Sequence, residues 1–586
     1  MDREQVAGIL AEIGTLLELQ GESSFRVNAY HNGARAILQM EGDLAEMVRT
    51  NRLTEVAGIG DTLREKITTL MTTGRLPFYD DLKAKTPPGL VEILRVPGLG
   101  PKKVIALHKE LGIDTLEKLR IACEAGQVAG LKGFGKRTQE KILEGLESLR
   151  QMAGRVRLDQ ALAVADTIVA ALRELPGVQQ IEVCGSIRRR KETIKDIDVL
   201  IAGVGDTGPL MERFVSLPGV VQITGQGDTR SSVVIKKLLP SGSQITMNAD
   251  LRVVSPEQFP FALHYFTGSK EHGIAMRIRA QRYGLKLNEY GLEGESKHVR
   301  ARSEADIFRA LDLAYIPPEM REDTGEMDLA ASDGLPPLIE VDDIQGVFHN
   351  HTTYSDGANT LEEMALAAQH LGLKYLGIGD HSQSLTIANG LSPARVRQQH
   401  REIDALNKRL KGIHLFKGTE CDILLDGSLD YDEELLTSFD YVVASVHTHF
   451  QLPREQQTER IIRAIRHPLV TMLGHSTGRL LLRREGYQVD LEAILEAAAA
   501  SGCMIEINAD PHRLDLDWVH CKRARAMGVT LVINPDAHST HGLANFVHGV
   551  EVARRGWLEK QHVFNTRPLA EVSRYFAERK QAAAGE

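Results

Sequence analysis

"GSIRRRKETIKDIDVL", residues 185–200, decides how the first half of the chain is read. A Gly-Ser pair precedes a run of cations, Arg188, Arg189 and Arg190. Asp196 and Asp198 follow in alternation, and the stretch then turns apolar at Val199 and Leu200. On a strand, residues i and i+2 share a face, so Asp196 and Asp198 present two carboxylates together. Left alone these repel, and a divalent cation resolves the repulsion. Asp250, in the strand-like NADLRVV, offers a third carboxylate. Three carboxylates on adjacent strands suit two Mg²⁺ or Mn²⁺ ions and in-line phosphoryl transfer. Gly185, Ser186 and Arg189 fall at a strand-to-helix turn, placed for the terminal phosphates of a triphosphate.

The whole chain has 586 residues, enough for roughly three to five folding units. Hydrophobic content of 42% and charged content of 25% fit globular protein. No apolar run approaches the roughly 18 residues of a membrane span, and the N-terminus lacks a signal-peptide core, so a cytoplasmic protein without membrane contact is expected. The five cysteines are scattered and form no CxxC, which argues against thiolate metal sites. The net charge of −9 speaks mildly against nucleic acid, but cations cluster locally, and metal-holding carboxylates add to the negative sum.

Before residue 150, one pattern recurs in TEVAGIGDTLREKI, EILRVPGLGPKKVIAL and AGLKGFGKRTQEKI: an apolar turn, Gly-x-Gly, then a helix start. Amides opening such a helix face outward and make an anion site. The repeats resemble helix-hairpin-helix motifs, which grip the DNA backbone without reading sequence. The contacts expected are Gly58, Gly60, Gly98, Gly100, Gly133 and Gly135, with Lys102, Lys103 and Lys136 beside them.

After residue 340, apolar strands alternate with helices, and ionisable residues close the strands: His349, His351, Asp356, His381, Glu420, His447, His475, Asp536 and His538. Alternation of this kind predicts parallel strands, with a site at their C-terminal ends. Nitrogen and carboxylate ligands without thiolates suit Zn²⁺ or Mn²⁺, and the number of ligands fits up to three ions. His449 and Glu506 lie close by in sequence and are not counted as ligands.

GSIRRRKETIKDIDVL, ADLRVV and YFTGSKEH (265–272) together resemble a bacterial-type family X DNA polymerase, the polymerase beta-like group, over about the first 316 residues. The histidine set resembles the PHP (polymerase and histidinol phosphatase) family. The resemblance implies a multidomain chain: helical helix-hairpin-helix domains, an α/β nucleotidyltransferase palm with a thumb, and a distorted seven-stranded α/β barrel. The boundaries expected are 1–85 for an N-terminal domain, 86–152 for fingers, 153–252 for the palm and 253–316 for the thumb. A linker at 317–340, the barrel at 341–576 and a tail at 577–586 follow.

By the same resemblance, Asp196 and Asp198 bind both metals and Asp250 helps activate the primer 3′-hydroxyl. Tyr265 and Phe266 line the nascent pair, Gly268 and Ser269 turn beside the sugar, and Arg277 lies in the minor groove. Lys66 aligns with the Schiff-base lysine of some relatives, although an exposed helix lysine would look the same. Gly273 replaces a family asparagine, Asn248 an arginine and Lys195 a glycine, which predicts a slower polymerase. The function expected is filling of short gaps in repair of gapped or primed DNA from deoxynucleoside triphosphates by a monomer. Metal-dependent 3′-5′ digestion accompanies it, with cutting at abasic sites as a further expectation. Two rivals are a template-independent nucleotidyltransferase acting on RNA and joined to a small-molecule phosphatase, and a DNA-binding nuclease scaffold with a degenerate polymerase site. The hairpins and YFTGS oppose the first; the full carboxylate set opposes the second.

Overall fold

Glycine takes a left-handed backbone at three equivalent places, Gly58 (φ 92°), Gly98 (φ 84°) and Gly133 (φ 87°). Each is followed by a buried apolar residue (Ile59, Leu99, Phe134) and then by an exposed glycine at a helix start. The amides of Ile59, Leu99 and Phe134 bond the carbonyls three residues back, so all three turns share one hydrogen-bond pattern. The helices that follow are Asp61–Thr73, Pro101–Leu111 and Lys136–Met152.

The computed structural model describes residues 3–39, 44–56, 58–96, 98–152, 154–239 and 244–585. Contacts divide the chain into two units, residues 1–154 with 238–245, and residues 155–237 with 246–586. The first unit is helical over residues 3–152 and carries two apolar cores. One is centred on Leu10, Ile13 and Ile67, the other on Ile93, Val104 and Leu119.

The second unit begins with a five-stranded sheet. Its spatial order is Val178–Val183, Asp196–Gly203, Gln244–Val254, Arg230–Leu238, Val220–Gln226. The strand Asp196–Gly203 runs parallel to Gln244–Val254, with Asp198 opposite Asp250 and Asp196 opposite Asn248. Ile197 is buried between the two aspartates, which confirms that they share the other face. Helices Phe259–Thr267 and Lys270–Arg282 follow, joined at Gly268–Ser269.

The strands after residue 345 are all parallel. In order they are Gly346–Asn350, Tyr375–Ile378, His414–Phe416 continuing as Gly418–Asp422, Tyr441–Ser445, Met472–Leu473, Met504–Asn508 and Leu531–Asn534. The third strand bends at Lys417 and joins two sheets, and a parallel bridge from Asn350 to Ala537 closes the ring. This is a seven-stranded barrel. Phe348, Tyr375, Phe416, Tyr441, Met472 and Met504 fill its interior. Glycine makes room for them: a Cβ on Gly377 would meet Phe348 at 2.5 Å, and one on Gly418 would meet Tyr441 at 2.2 Å.

Two boundary expectations need correction. Residues 317–340 are not a loose linker. They form the short helices Pro318–Met320 and Glu326–Ala331, and Met320 and Ala330 join the core of Phe261, Ile307 and Phe308. Glu319, Glu322 and Glu326 of this segment are paired. Glu319 accepts from Arg554 (2.8 Å), Glu326 meets His272 (2.9 Å), and Glu322 lies between Arg189 and Arg555. Nor are residues 577–585 a tail. The helix Leu569–Gly585 runs through them, Phe576 enters the barrel interior, and Arg579 donates to Val470 (2.6 Å) and Gly502 (3.0 Å).

Arg321 is wholly buried. It donates to Glu304 (2.6 Å) and to the Ile316 carbonyl (2.9 Å), with the Phe308 ring beneath it. Arg188 takes the other oxygen of Glu304 (2.6 Å). Removing one member of a buried ion pair strands the other, so Arg321→Met should cost about 3–5 kcal/mol in denaturant unfolding. Adding Glu304→Gln should recover part of that loss, and a single-variant cost under about 1 kcal/mol would contradict the pairing.

Candidate active sites

Asp196 opens its strand, while Asp250 lies inside Gln244–Val254. Asp198 lies beside Asp250 across the parallel pair, with Asp196 on the same face. Burial, then the neighbouring charges of Asp196 and Asp250, push the Asp198 carboxyl up to about 6. Asp250 accepts from Ser232 and lies 3.4 Å from Arg230. Ser232 and Arg230 went unnoticed in the sequence, although their i, i+2 spacing on a strand is visible there. Gly185 (φ 63°) presses on the trio: a Cβ there would meet Asp198 Oδ2 at 2.8 Å. Ser186 opens the one-turn helix Gly185–Arg188.

Arg189 points at the Tyr265–Ser269 turn. Its Nη1 donates to the Thr267 carbonyl and its Nε to Glu322 (3.1 Å). Tyr265, Gly268, Ser269, Gly273 and Arg277 line one cavity of about 360 Å³. Phe266 packs instead beneath Arg252, 4.4 Å from its ring centroid. Above Gly273 sits Arg277, whose Nη1 lies 3.6 Å from where a Cβ would be. His272 is locked to Glu326 inside the thumb, so Arg277 is the side chain near the missing asparagine.

In the helical unit, Gly60 and Gly100 cap their helices in extended conformation, and a Cβ on Gly60, Gly98, Gly100, Gly133 or Gly135 would meet nothing within 4 Å. Lys102 and Lys136 are exposed, while Lys103 donates back to the Gly98 carbonyl (3.1 Å). The turns thus leave an open, cation-flanked surface of helix-start amides. Lys66 is half-buried, its Nζ 3.6 Å from the Phe78 ring centroid. Burial, and then Arg26, lower its pKa and raise the share of neutral amine, the form that attacks a sugar aldehyde.

The barrel gathers its ligand-type residues at the C-terminal ends of the strands. Four groups have ligand atoms within 4.8 Å of one another: His351–Asp356–His381–His538, His349–His351–Asp536, His349–Glu420–His475 and His381–Glu420–His447. Together they use all nine residues singled out in the sequence, and among the described residues no such group lies elsewhere. Glu420 is 1% exposed and central, at 3.2 Å from His349, 2.8 Å from His381, 3.2 Å from His447 and 2.9 Å from His475. Burial alone would raise its pKa; the imidazoles of His447, His349 and His381 hold it well below the carboxylate range. His349 (φ 56°) and Asp536 (φ 51°) sit in the left-handed region, a strain that concentrates where side chains must be aimed.

Further residues orient this set. Glu506 accepts from His349 Nδ1 (2.6 Å) and from the His475 amide (2.6 Å); Asp422 accepts from His447 Nδ1. Each thereby turns the ring's Nε2 toward the cluster. Asp422 was readable as the i+2 neighbour of Glu420 on a strand. His449 is exposed and lies outside the four groups. Arg513, 3.4 Å from Asp536, was not foreseen. Buried nitrogens of His349 (Nε2), His351 (Nδ1 and Nε2) and His475 (Nδ1) lack a hydrogen bond. Orphaned lone pairs among carboxylates fit divalent metal ions.

Family matches cover both units. A helix-hairpin-helix domain matches residues 1–76, a SAM-like helix-hairpin-helix tandem 90–148, the DNA polymerase beta thumb 262–322 and the PHP domain 348–510. The thumb match runs into the segment whose composition suggested a linker. Probable phosphatases from Thermoanaerobacter sp. (strain X514) and Shewanella oneidensis are 28% and 26% identical. They cover 41% and 38% of this chain and 96% and 87% of their own length. The DNA polymerase/3'-5' exonuclease PolX of Bacillus subtilis (strain 168) is 38% identical over 579 residues, 98% of this chain and 99% of that protein. With the three palm carboxylates and the histidine cluster on one chain, and that likeness along nearly its whole length, this chain belongs to the PolX family of DNA polymerase/3'-5' exonucleases.

Proposed function

We propose that this PolX-family DNA polymerase and 3'-5' exonuclease fills short gaps in DNA repair, adding nucleotides at the palm and trimming 3′ ends at the barrel. The supporting observation is that nine ligand-type side chains gather at the barrel mouth while Asp196, Asp198 and Asp250 share one face of a separate sheet. The palm residues would hold two Mg²⁺ or Mn²⁺ ions and the barrel residues up to three Zn²⁺ or Mn²⁺ ions; such ions supply Lewis acidity and neutralise phosphate charge.

At the palm, Ser232 holds one oxygen of Asp250 and Arg230 approaches the other (3.4 Å), which orients the carboxylate to draw on the primer 3′-hydroxyl proton. Arg189 and the Gly185–Ser186 turn receive the triphosphate, while Tyr265, Gly268 and Ser269 bound the nascent pair. Arg277 takes the minor-groove edge, over the space that Gly273 opens. At the barrel, Glu506 and Asp422 hold protons on the Nδ1 atoms of His349 and His447, so that Nε2 is free to ligate. In the helical unit, the Gly-x-Gly turns and Lys102, Lys103 and Lys136 grip backbone phosphates of gapped duplex, and the chain acts as a monomer.

The two chemistries should separate. Asp198→Ala should reduce nucleotide addition to background and leave 3′ digestion intact, and His349→Ala with His351→Ala should do the reverse, both read on one gapped duplex. Loss of both activities in either folded, DNA-bound variant contradicts two sites.

Acid should weaken the palm's hold on metal. The Asp198 carboxyl, raised to about 6, keeps its proton below that pH, and an incoming cation must displace it. The apparent Mg²⁺ affinity for nucleotide addition should therefore be level above about pH 7 and fall toward tenfold per unit below about pH 6. A flat profile between about pH 5 and 8 removes Asp198 from the metal site.

DNA affinity should depend on salt and little on sequence, because the turns offer amides and lysines to phosphate. Replacing Lys102 and Lys136 by alanine should lower the slope of log affinity against log salt by about 1–2. An unaltered slope places the duplex elsewhere.

A further inference from the structure

The helix Phe546–Arg555 belongs to the barrel domain but ends against the palm's arginine turn. Glu551 and Arg555 lie one turn apart on its surface and so share a face. Arg555 Nη1 donates to the Arg189 carbonyl (2.6 Å) and approaches Glu322 Oε1 (3.2 Å), which also accepts from Arg189 Nε (3.1 Å). Glu551 Oε1 pairs with Arg190 Nε (3.4 Å), and Arg190 carries a left-handed backbone (φ 56°). The group is closed to water: Arg555 is fully buried beside the Trp518 ring (4.9 Å), and the Arg189 and Glu322 side chains are 11% and 13% exposed. Arg189 spends its other contact on the Thr267 carbonyl, so the guanidinium lies flat against Gly268, whose Cβ would come within 3.1 Å of Nη1. Among the described residues, Arg189 Nη2 has no protein partner.

We infer that Arg555 and Glu551 of the nuclease barrel, with Glu322, are positioning residues for nucleotide binding at the polymerase site: they hold the 189–190 turn so that Arg189 presents its free edge to the triphosphate. The inference rests on the reading of Arg189 as a phosphate-binding residue. It makes the barrel domain a part of the polymerase's nucleotide-binding half, independent of the barrel's own chemistry. Two arginines share one glutamate, so the cluster keeps a positive charge for an anion to meet.

The test uses full-length protein and single-nucleotide gap filling, with digestion of a 3′-ended single strand as a control. Arg555→Met should raise the nucleotide KM about tenfold, change kcat less than about twofold and leave digestion unaltered. Both contacts come from one nitrogen, so Arg555→Lys should bring KM back to within about threefold of the parent. Arg189→Ala separates the two ideas. If it leaves KM unchanged, the phosphate-binding reading fails; if it raises KM while Arg555→Met does not, the positioning inference alone fails. Should Arg555→Met lose digestion and melt early, Glu551→Gln decides, because it removes the charge that holds Arg190 and keeps an amide beside His548. A KM raised about threefold supports the inference, and an unchanged KM overturns it.

Discussion

A carboxylate taken out of water must meet a cation, and that constraint shapes every important site of this protein. At the barrel mouth Glu420 is surrounded by imidazoles and belongs to two of the four ligand groups. At the palm, Asp198 is crowded by Asp196 and Asp250 with too little compensation, and its carboxyl is pushed up to about 6. In the thumb, Glu304 and Glu322 are each shared between two arginines. The thumb solves the problem with protein cations and is structural. The palm and barrel solve it incompletely, and there the chemistry is expected.

Much of this was open to reading from local pattern. The i, i+2 spacing put Asp196 and Asp198 on one strand face, and the strand-end histidines marked one mouth of a barrel before any contact was known. Gly-x-Gly turns were readable for the same reason: φ above zero leaves glycine as the ordinary choice. What local pattern could not supply was pairing across long separations. The acid-rich stretch 317–340 looked solvated because its partners, Arg189, His272, Arg554 and Arg555, lie far off in sequence. Nothing short-range distinguishes Glu322 from a surface glutamate. Likewise residues 577–586 (AERKQAAAGE) looked like a tail because they carry no large apolar residue, and the acceptors of Arg579, on Val470 and Gly502, lie far off in sequence.

The same long-range pairing joins palm, thumb and barrel. Glu319, Glu322 and Glu340 tie the post-thumb segment to Arg554 and Arg555 on a single barrel helix. Ile339 donates to the Leu558 carbonyl just beyond it (2.9 Å). A turn of palm cations, a thumb glutamate and a barrel helix therefore share one buried junction. Its polar character suits register and orientation better than raw stability, since buried ion pairs gain little net energy over apolar packing. The barrel's own mouth uses none of these residues, which lets the junction and the nuclease site be altered separately.

At the barrel mouth Glu420 joins the carboxylates and imidazoles into one shared cluster, suited to more than one divalent ion. Titration of Mn²⁺ into metal-free protein, in an Asp198→Ala background that silences the palm, tests it most directly. Glu420 belongs to two ligand groups and Asp356 to one. Glu420→Gln should therefore lose more bound ions per chain than Asp356→Asn, with the remaining site weakened. Equal stoichiometry in the parent and in Glu420→Gln would contradict the account.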